Sequence, residues 1–132
     1  MLFDSIRLAP QYLVSNATDV EATDANQLES FDSDGFTVGS GSSTNGTSAT
    51  FVGWNWKAGG AASSNSDGSI TTSVSANTTA GFSIVSYTGT GNNDTIGHGL
   101  SQAVDMVIVK GLTNLSGSTM NCLLYTSDAA DE

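Results

Sequence analysis

Apolar and polar residues alternate in several short stretches, and this spacing of two predicts β-strands rather than helices. The clearest stretch is 50–57, where Val52, Trp54 and Trp56 fall on one face and are expected to be buried between two sheets. Residues 105–110 form a nearly continuous apolar run, which is typical of a strand buried on both faces. Shorter candidate strands are 2–7, 11–15, 35–39 and 82–88.

Between these patterns, residues 59–80 have the composition of a linker. The stretch is rich in Ser, Gly and Thr, and a flexible connection is typical of such a sequence. Ile70 and Val74 could form one edge strand within it. The linker divides the chain into a first half, 1–58, and a second half, 81–121.

Composition supports the β prediction. Ser (20), Thr (16), Gly (15) and Asn (10) make up nearly half of the 132 residues, and these residue types favour strands, turns and loops over helices. At 38%, hydrophobic residues are too frequent and too regularly spaced for a disordered chain. We therefore expect an all-β, antiparallel protein with little helix.

The balance of charges excludes two classes of partner. Thirteen acidic and three basic residues give a formal net charge of −10, which disfavours binding to nucleic acid or to an anionic membrane surface. No apolar run approaches the roughly 20 residues that a membrane-spanning helix needs, so no membrane insertion is expected. The N-terminal MLFDSIRLAP lacks the features of a signal peptide, so either the protein is not exported by that route or its true N-terminus is missing.

Several motifs point to a family. The strings FDSDGFTVGS, FVGWNWKAGGAASSNSDGSITTSVSANTTAGFSIVSYTGTG, IGHGL and MVIVK resemble Gly/Ser/Asn-rich repeat domains of large structural proteins in tailed bacteriophages, especially marine ones. The resemblance covers nearly all of residues 2–110. It implies an antiparallel β-sandwich of the jelly-roll or concanavalin A-like type, located in a tail fibre or similar appendage at the extracellular face of the virion.

The order of these motifs implies a fragment of a repeat array. Residues 1–58 resemble the C-terminal half of one repeat, and 81–121 the N-terminal half of the next, so the two halves could close as one circularly permuted sandwich. Two positions depart from the family pattern. Val104 replaces a proline, and Leu8 replaces the glycine of a turn.

The last eleven residues, CLLYTSDAADE, differ from the rest of the chain. They contain the only cysteine, Cys122, and an acidic end. A nucleotide string that resembles a transposon mosaic end joined to a sequencing adapter would encode these residues, so we interpret residues 122–132 as adapter read-through in a metagenomic assembly. Without their three acidic residues the net charge is −7, and without Cys122 neither a disulfide nor a thiolate metal site is expected.

Motifs for catalysis are weak. The chain has no GK[ST] phosphate loop and no GxSxG nucleophile elbow. The only histidine, His98, lies between glycines in IGHGL, where turn structure explains it better than a catalytic role. We therefore expect a protein that is not an enzyme, with no catalytic residues.

Three pairs of residues are candidates for binding. Asp32 and Asp34 in FDSDG suggest part of a calcium loop, although an Asx turn explains them more simply. Trp54 and Trp56 could stack on sugar rings, although two indoles on one strand face more often belong to a core. Asn92 and Asn93, in the Gly-rich loop that follows strand 82–88, complete the ligand-binding candidates.

These features favour a non-enzymatic structural module of a phage tail fibre. Its expected partners are other virion subunits, in a homotrimer if it follows other fibre proteins, and a host-surface glycan reached by exposed loops. No cofactor is expected, apart from calcium in the second hypothesis, which is a carbohydrate-binding lectin with calcium-assisted loops. The third hypothesis is a secreted bacterial adhesion repeat.

Overall fold

The computed structural model describes residues 1–113 and 120–127. In these ranges the chain forms nine short strands and one four-residue helix, and every strand pair is antiparallel, so the predicted all-β class is confirmed. In chain order the elements are β1 (Gln11–Tyr12), β2 (Ala22–Thr23), β3 (Leu28–Phe31), β4 (Phe36–Val38), α1 (Ser42–Asn45), β5 (Ser63–Asn65), β6 (Thr72–Asn77), β7 (Phe82–Ser86), β8 (Met106–Lys110) and β9 (Cys122–Thr126). The arrangement of sheets as a sandwich stays a prediction.

The chain divides into two compact units. The first combines Met1–Val52 with Asp105–Glu132, and the second is Gly53–Val104. The first unit holds the two-stranded sheets β1-β2, β3-β4 and β8-β9, and the second holds the three-stranded sheet β5-β6-β7. The sequence expectation placed a linker at 59–80, whereas here these residues belong to the second unit and contain β5 and β6.

A buried arginine closes the N-terminal loop of the first unit. The Arg7 side chain is 8% exposed, and its Nε lies 2.6 Å from Asp4 Oδ2, while Nη1 lies 3.4 Å from Glu21 Oε2. Its Nη2 also donates to the Leu2 carbonyl. The strand predicted at 2–7 is therefore wrong. Only Leu2 makes an isolated bridge, to Leu13, because Asp4 turns the chain by accepting bonds from the Ile6 and Arg7 backbone N–H groups.

A buried glutamine joins the helix to the start of β3. Gln27 Nε2 donates to Asp24 Oδ2 at 3.0 Å, and its Oε1 accepts from Thr44 Oγ1 of α1 at 3.1 Å. The same Asp24 carboxylate accepts from the Asn26 backbone N–H at 2.9 Å. Because a buried amide needs partners on both its oxygen and its nitrogen, this pair of bonds fixes α1 against the turn that precedes β3.

The second unit is built around β6, its central strand. Thr72 and Val74 are buried on one face, and Thr72 Oγ1 donates to the Gly97 carbonyl at 3.3 Å. Segment 97–99 also approaches Val74, because a Cβ at Gly99 would lie 3.1 Å from Val74 Cγ1. Val74 therefore lies in a central strand. The prediction that it belongs to an edge strand is wrong.

The other face of β6 carries Ser75 and Asn77. Ser75 is the most completely buried side chain, and its Oγ donates to the Gly60 carbonyl at 2.7 Å. Asn77 Nδ2 donates to the Lys57 carbonyl at 3.2 Å. Both side chains thus bind the backbone of segment 57–60, which lies on this side of β6.

The strand predicted at 50–57 is wrong. These residues pair with no strand in the described part of the chain, and Val52 (71%), Trp54 (74%) and Trp56 (61%) are largely exposed rather than buried. Apolar and polar residues do alternate here, but no ladder of backbone hydrogen bonds joins the segment to β6. Instead, β6 side chains bind backbone carbonyls of residues 57–60. The predicted burial of both indoles in a core is therefore corrected.

The strand predicted at 105–110 is confirmed as β8, but its burial on two faces is not. Met106 (53%), Val107 (41%) and Ile108 (51%) are exposed, so neither face of this part of β8 is buried. In the described residues β8 pairs with β9. Strand β9 lies in the segment interpreted as adapter read-through, and that interpretation stays a prediction. Parts of the predicted segments 81–121 and 122–132, namely 114–119 and 128–132, lie outside the described residues.

Candidate ligand-binding surface

The second unit exposes two large aromatic side chains that are close in the sequence. We call residues 53–56 the aromatic segment. It contains Trp54 (74% exposed) and Trp56 (61% exposed), the two tryptophans of the whole sequence. Contiguous exposed apolar residues of this size are uncommon on a protein surface without a binding role.

One indole of the segment is braced by the sheet. The Trp56 ring stacks on Phe82 of β7, with centroids 6.0 Å apart and planes 19° apart. Phe82 lies opposite Asn77 in the strand register, so the two side chains share a face. Trp54 makes no such ring contact within the described residues. The segment therefore offers one fixed indole and one free indole.

A shallow groove of about 400 Å³ lies next to the braced indole, lined by residues 57–60 and 76–78. It forms where Gly59 and Gly60 pass β6 without side chains of their own. A Cβ at Gly59 would collide with the Ala76 carbonyl, so the close approach requires glycine. The Lys57 ammonium, the Asn77 amide and the Thr78 hydroxyl supply the polar groups of this groove.

The structure does not join Asn92 and Asn93 to the indoles. They lie in the exposed loop after β7, and no hydrogen bond or ring contact in the described ranges connects them with Trp54 or Trp56. The loop is organised by Asp94, whose carboxylate accepts from Thr90 Oγ1 and from Ser69 Oγ. The hydrogen bond from Thr90, and to a smaller extent the one from Ser69, lowers the pKa of the Asp94 carboxyl group.

The predicted calcium residues form a hairpin turn. Asp32 and Asp34 lie between β3 and β4, and the Asp32 N–H donates to the Gly35 carbonyl at 2.9 Å. The Asp32 carboxylate accepts from Ser30 and Thr37 hydroxyls, both at 2.8 Å, and so links the two strands. Calcium takes six to eight oxygen ligands. Within the described residues, no group of three or more acidic, His or Cys side chains is found that could hold a metal ion.

His98 is used for local backbone structure. Its Nδ1 accepts from the Leu100 N–H at 3.1 Å, beside Gly99, which has a φ of +70°. A glycine adopts this left-handed conformation without strain, so the pair of glycines around His98 has a structural reason. The prediction that turn structure explains His98 agrees with this geometry.

The sequence reasoning missed three residues that complete the surface. Phe82 braces Trp56, Asn77 holds the Lys57 carbonyl, and Lys57 contributes the charge of the groove. A signal for Lys57 was present, because it is the only basic residue between positions 53 and 104. Phe82 and Asn77 carried no signal, since their partners are fixed by the strand register and not by spacing in the sequence.

Fold and surface together define a class: an antiparallel all-β domain with an exposed aromatic segment beside a polar groove. Residues 1–130 match the family model described as a domain of unknown function (DUF7483), and the chain belongs to that family. This match includes residues 122–130, part of the segment interpreted as adapter read-through. No curated protein and no solved structure matches the chain.

A membrane-spanning helix is not found among the residues that the structure describes.

Proposed function

We propose that this domain is a non-enzymatic attachment module of a phage virion appendage, and that it binds host-surface glycan through Trp54 and Trp56. The observation that carries the proposal is the exposure of both indoles, 74% and 61%, with Trp56 held in place by Phe82. The flat faces of indole rings suit the apolar faces of sugar rings, and a pre-positioned ring loses little freedom on binding.

The exposed indoles change the order of the hypotheses. The sequence favoured a structural module that contacts glycan through exposed loops and buries Trp54 and Trp56 in its core, and that burial does not hold. Attachment, which was the secondary role, explains the exposure directly because the rings are available to a ligand. The phage setting rests on the motif resemblance of residues 2–110, and the same resemblance supports other virion subunits as partners.

Recognition by this module is proposed to be independent of calcium. The lectin hypothesis shares the sugar ligand but adds loops assisted by calcium, whereas Asp32 already binds two hydroxyl groups of its own hairpin. Polar recognition is assigned instead to the groove of the second unit that Lys57 and Thr78 line.

A glycan array tests this function. The wild-type chain is expected to bind a subset of glycans equally with and without EDTA, Trp54→Ala is expected to lose that binding, and Phe36→Ala is expected to keep it. Phe36 is a suitable control because it is an aromatic residue that is 46% exposed in the other unit. An array on which the wild type binds no glycan, or on which Trp54→Ala binds as the wild type does, would overturn the proposal.

A further inference from the structure

We infer that the ligand of the aromatic segment is an anionic glycan, carrying a carboxylate or sulfate group that pairs with Lys57. This inference rests on the proposed function and adds the chemical class of the sugar. Neutral sugars would use the indoles alone, whereas an acidic sugar would use the indoles and the ammonium group together.

The chain has three basic residues, and two of them are bound internally. Arg7 is buried between Asp4 and Glu21. Lys110 donates its Nζ hydrogens to the carbonyl oxygens of Ala17, at 2.9 Å, and Met120. Lys57 is exposed, and its ammonium group has no ion pair or hydrogen bond within residues 1–113 and 120–127. Among the Lys and Arg side chains, all three of which lie in the described residues, it is thus the one left for a ligand.

The position of Lys57 matches the other contacts of a sugar. It directly follows Trp56, and it lines the groove together with Asn77 and Thr78. The Asn77 amide holds the Lys57 backbone carbonyl, so the origin of the side chain is fixed next to the braced indole. We place a pyranose ring on the exposed indole of Trp56 and its acidic substituent at Lys57, the next residue in the chain.

The second unit carries one basic side chain, Lys57, and two carboxylates, so an anion would be attracted by Lys57 alone. The formal charge of the whole chain is −10, which repels acidic polymers from most of its surface. In the second unit the acidic residues are Asp67 and Asp94. Each accepts hydrogen bonds within its own loops, Asp67 from Asn65 and Asp94 from Thr90 and Ser69. Selectivity for an acidic sugar would then come from one contact and not from a general positive field.

Calorimetric titration of the full chain with two matched ligands tests the inference: a uronic-acid oligosaccharide and the same oligosaccharide after reduction of its carboxyl groups. The wild type is expected to bind the acidic form about two- to five-fold more tightly, as an exposed ion pair allows. Lys57→Met is expected to abolish this preference, and Lys57→Arg is expected to keep it. Since surface charges are screened by salt, the preference should also fall at high ionic strength.

The outcomes separate the two proposals. Equal affinity of the wild type for both oligosaccharides, or an unchanged preference in Lys57→Met, overturns the anionic ligand and leaves the glycan function standing. A sulfated oligosaccharide run alongside decides whether sulfate replaces carboxylate, and a preference for it that Lys57→Met abolishes supports the inference equally. Failure of the wild type to bind any of the three overturns both proposals.

Discussion

Trp56 lies over Phe82 of strand β7 with the two rings nearly parallel, 19° apart at a centroid distance of 6.0 Å. The contact joins a segment without regular secondary structure to the three-stranded sheet of the second unit. The contact is therefore expected to contribute to stability, and the two tryptophans of the aromatic segment can be distinguished by measuring the effect of each on stability.

Replacing each tryptophan by alanine should affect stability differently. Trp56→Ala removes a stacked aromatic pair and is expected to lower the free energy of unfolding by about 0.5–1.5 kcal/mol. Trp54→Ala, at a site that is 74% exposed, is expected to change it by less than about 0.5 kcal/mol. Urea unfolding followed by circular dichroism measures both values. Equal losses in the two variants would contradict the assignment of Trp56 as the braced ring.

Leu8→Gly should stabilise the protein. Leu8 has a φ of +66°, a left-handed conformation in which a side chain costs about 1–2 kcal/mol and glycine costs none. The leucine is 61% exposed, so little buried surface is lost with it. After the entropy that glycine adds to the unfolded chain, a net gain of about 0.5–1 kcal/mol is expected.

Leu8→Ala serves as the control for this gain, because alanine keeps the Cβ that causes the strain. It should leave the free energy of unfolding nearly unchanged in the same urea titration. If both variants were stabilised equally, the cause would be the removal of an exposed leucine and not the backbone conformation.

Gly59→Ala should destabilise the second unit. A Cβ at this position would overlap the Ala76 backbone carbonyl, so segment 57–60 would have to move away from β6 at a cost of about 1–3 kcal/mol. Gly89→Ala is the matched control, since a Cβ there would meet no atom within 4 Å. In thermal unfolding, the midpoint of Gly59→Ala should be lower than that of the wild type, and the midpoint of Gly89→Ala should not be lower. A lower midpoint in both would contradict the close approach described for Gly59.

Acid should weaken the turn that precedes β3. Hydrogen bonds from the Asn26 backbone N–H, and then from the Gln27 and Asn26 side chains, lower the pKa of Asp24 below its ordinary 3.8. A carboxylate with a depressed folded-state pKa contributes stability above its unfolded pKa, and this contribution is lost as the pH falls through the folded value. The window of the effect is therefore below pH 3.8.

Urea midpoints of the wild type and Asp24→Asn, compared at neutral pH and at about pH 2.5, check this linkage. The variant lacks the titrating group, so its stability relative to that of the wild type should be higher at the acidic pH than at neutral pH. Parallel loss of stability in both proteins would show that Asp24 does not contribute.

Much of the fold followed from the sequence for identifiable reasons. Strands β1, β4, β7 and β8 fall inside the stretches predicted from apolar alternation, and the turn at FDSDG was predicted from its Asp and Gly residues. These features depend on neighbours in the sequence, which a pattern of spacing records directly. The all-β class followed from composition in the same way.

The central strand β6 could not be predicted because its side chains are small. Thr72 and Ser75 are among its most buried residues, and both are buried by contact with backbone carbonyls rather than with apolar side chains. A hydrophobicity pattern has no signal for that kind of burial. The same composition is typical of a linker, which is how residues 59–80 were interpreted.

The candidate site was recognised in part. Trp54 and Trp56 were named as a sugar platform, but the spacing of two between them favoured a core, and spacing alone cannot show whether a second sheet covers the face. Asn92, Asn93, Asp32 and Asp34 were chosen by residue type. The structure places them in separate turns, away from any contact with the indoles among the described residues.

The way in which glycine backbones shield β6 also bears on how such a domain can diverge. In most proteins the sites intolerant of change are large interior hydrocarbons, and glycines vary with the loops that contain them. Here the constraint is inverted: a Cβ at Gly59 would overlap the Ala76 carbonyl, and Gly99 has a left-handed backbone that strains other residues, while Trp54 and Trp56 are largely exposed. The exposed residues could thus change rapidly during evolution while the fold beneath them stays the same.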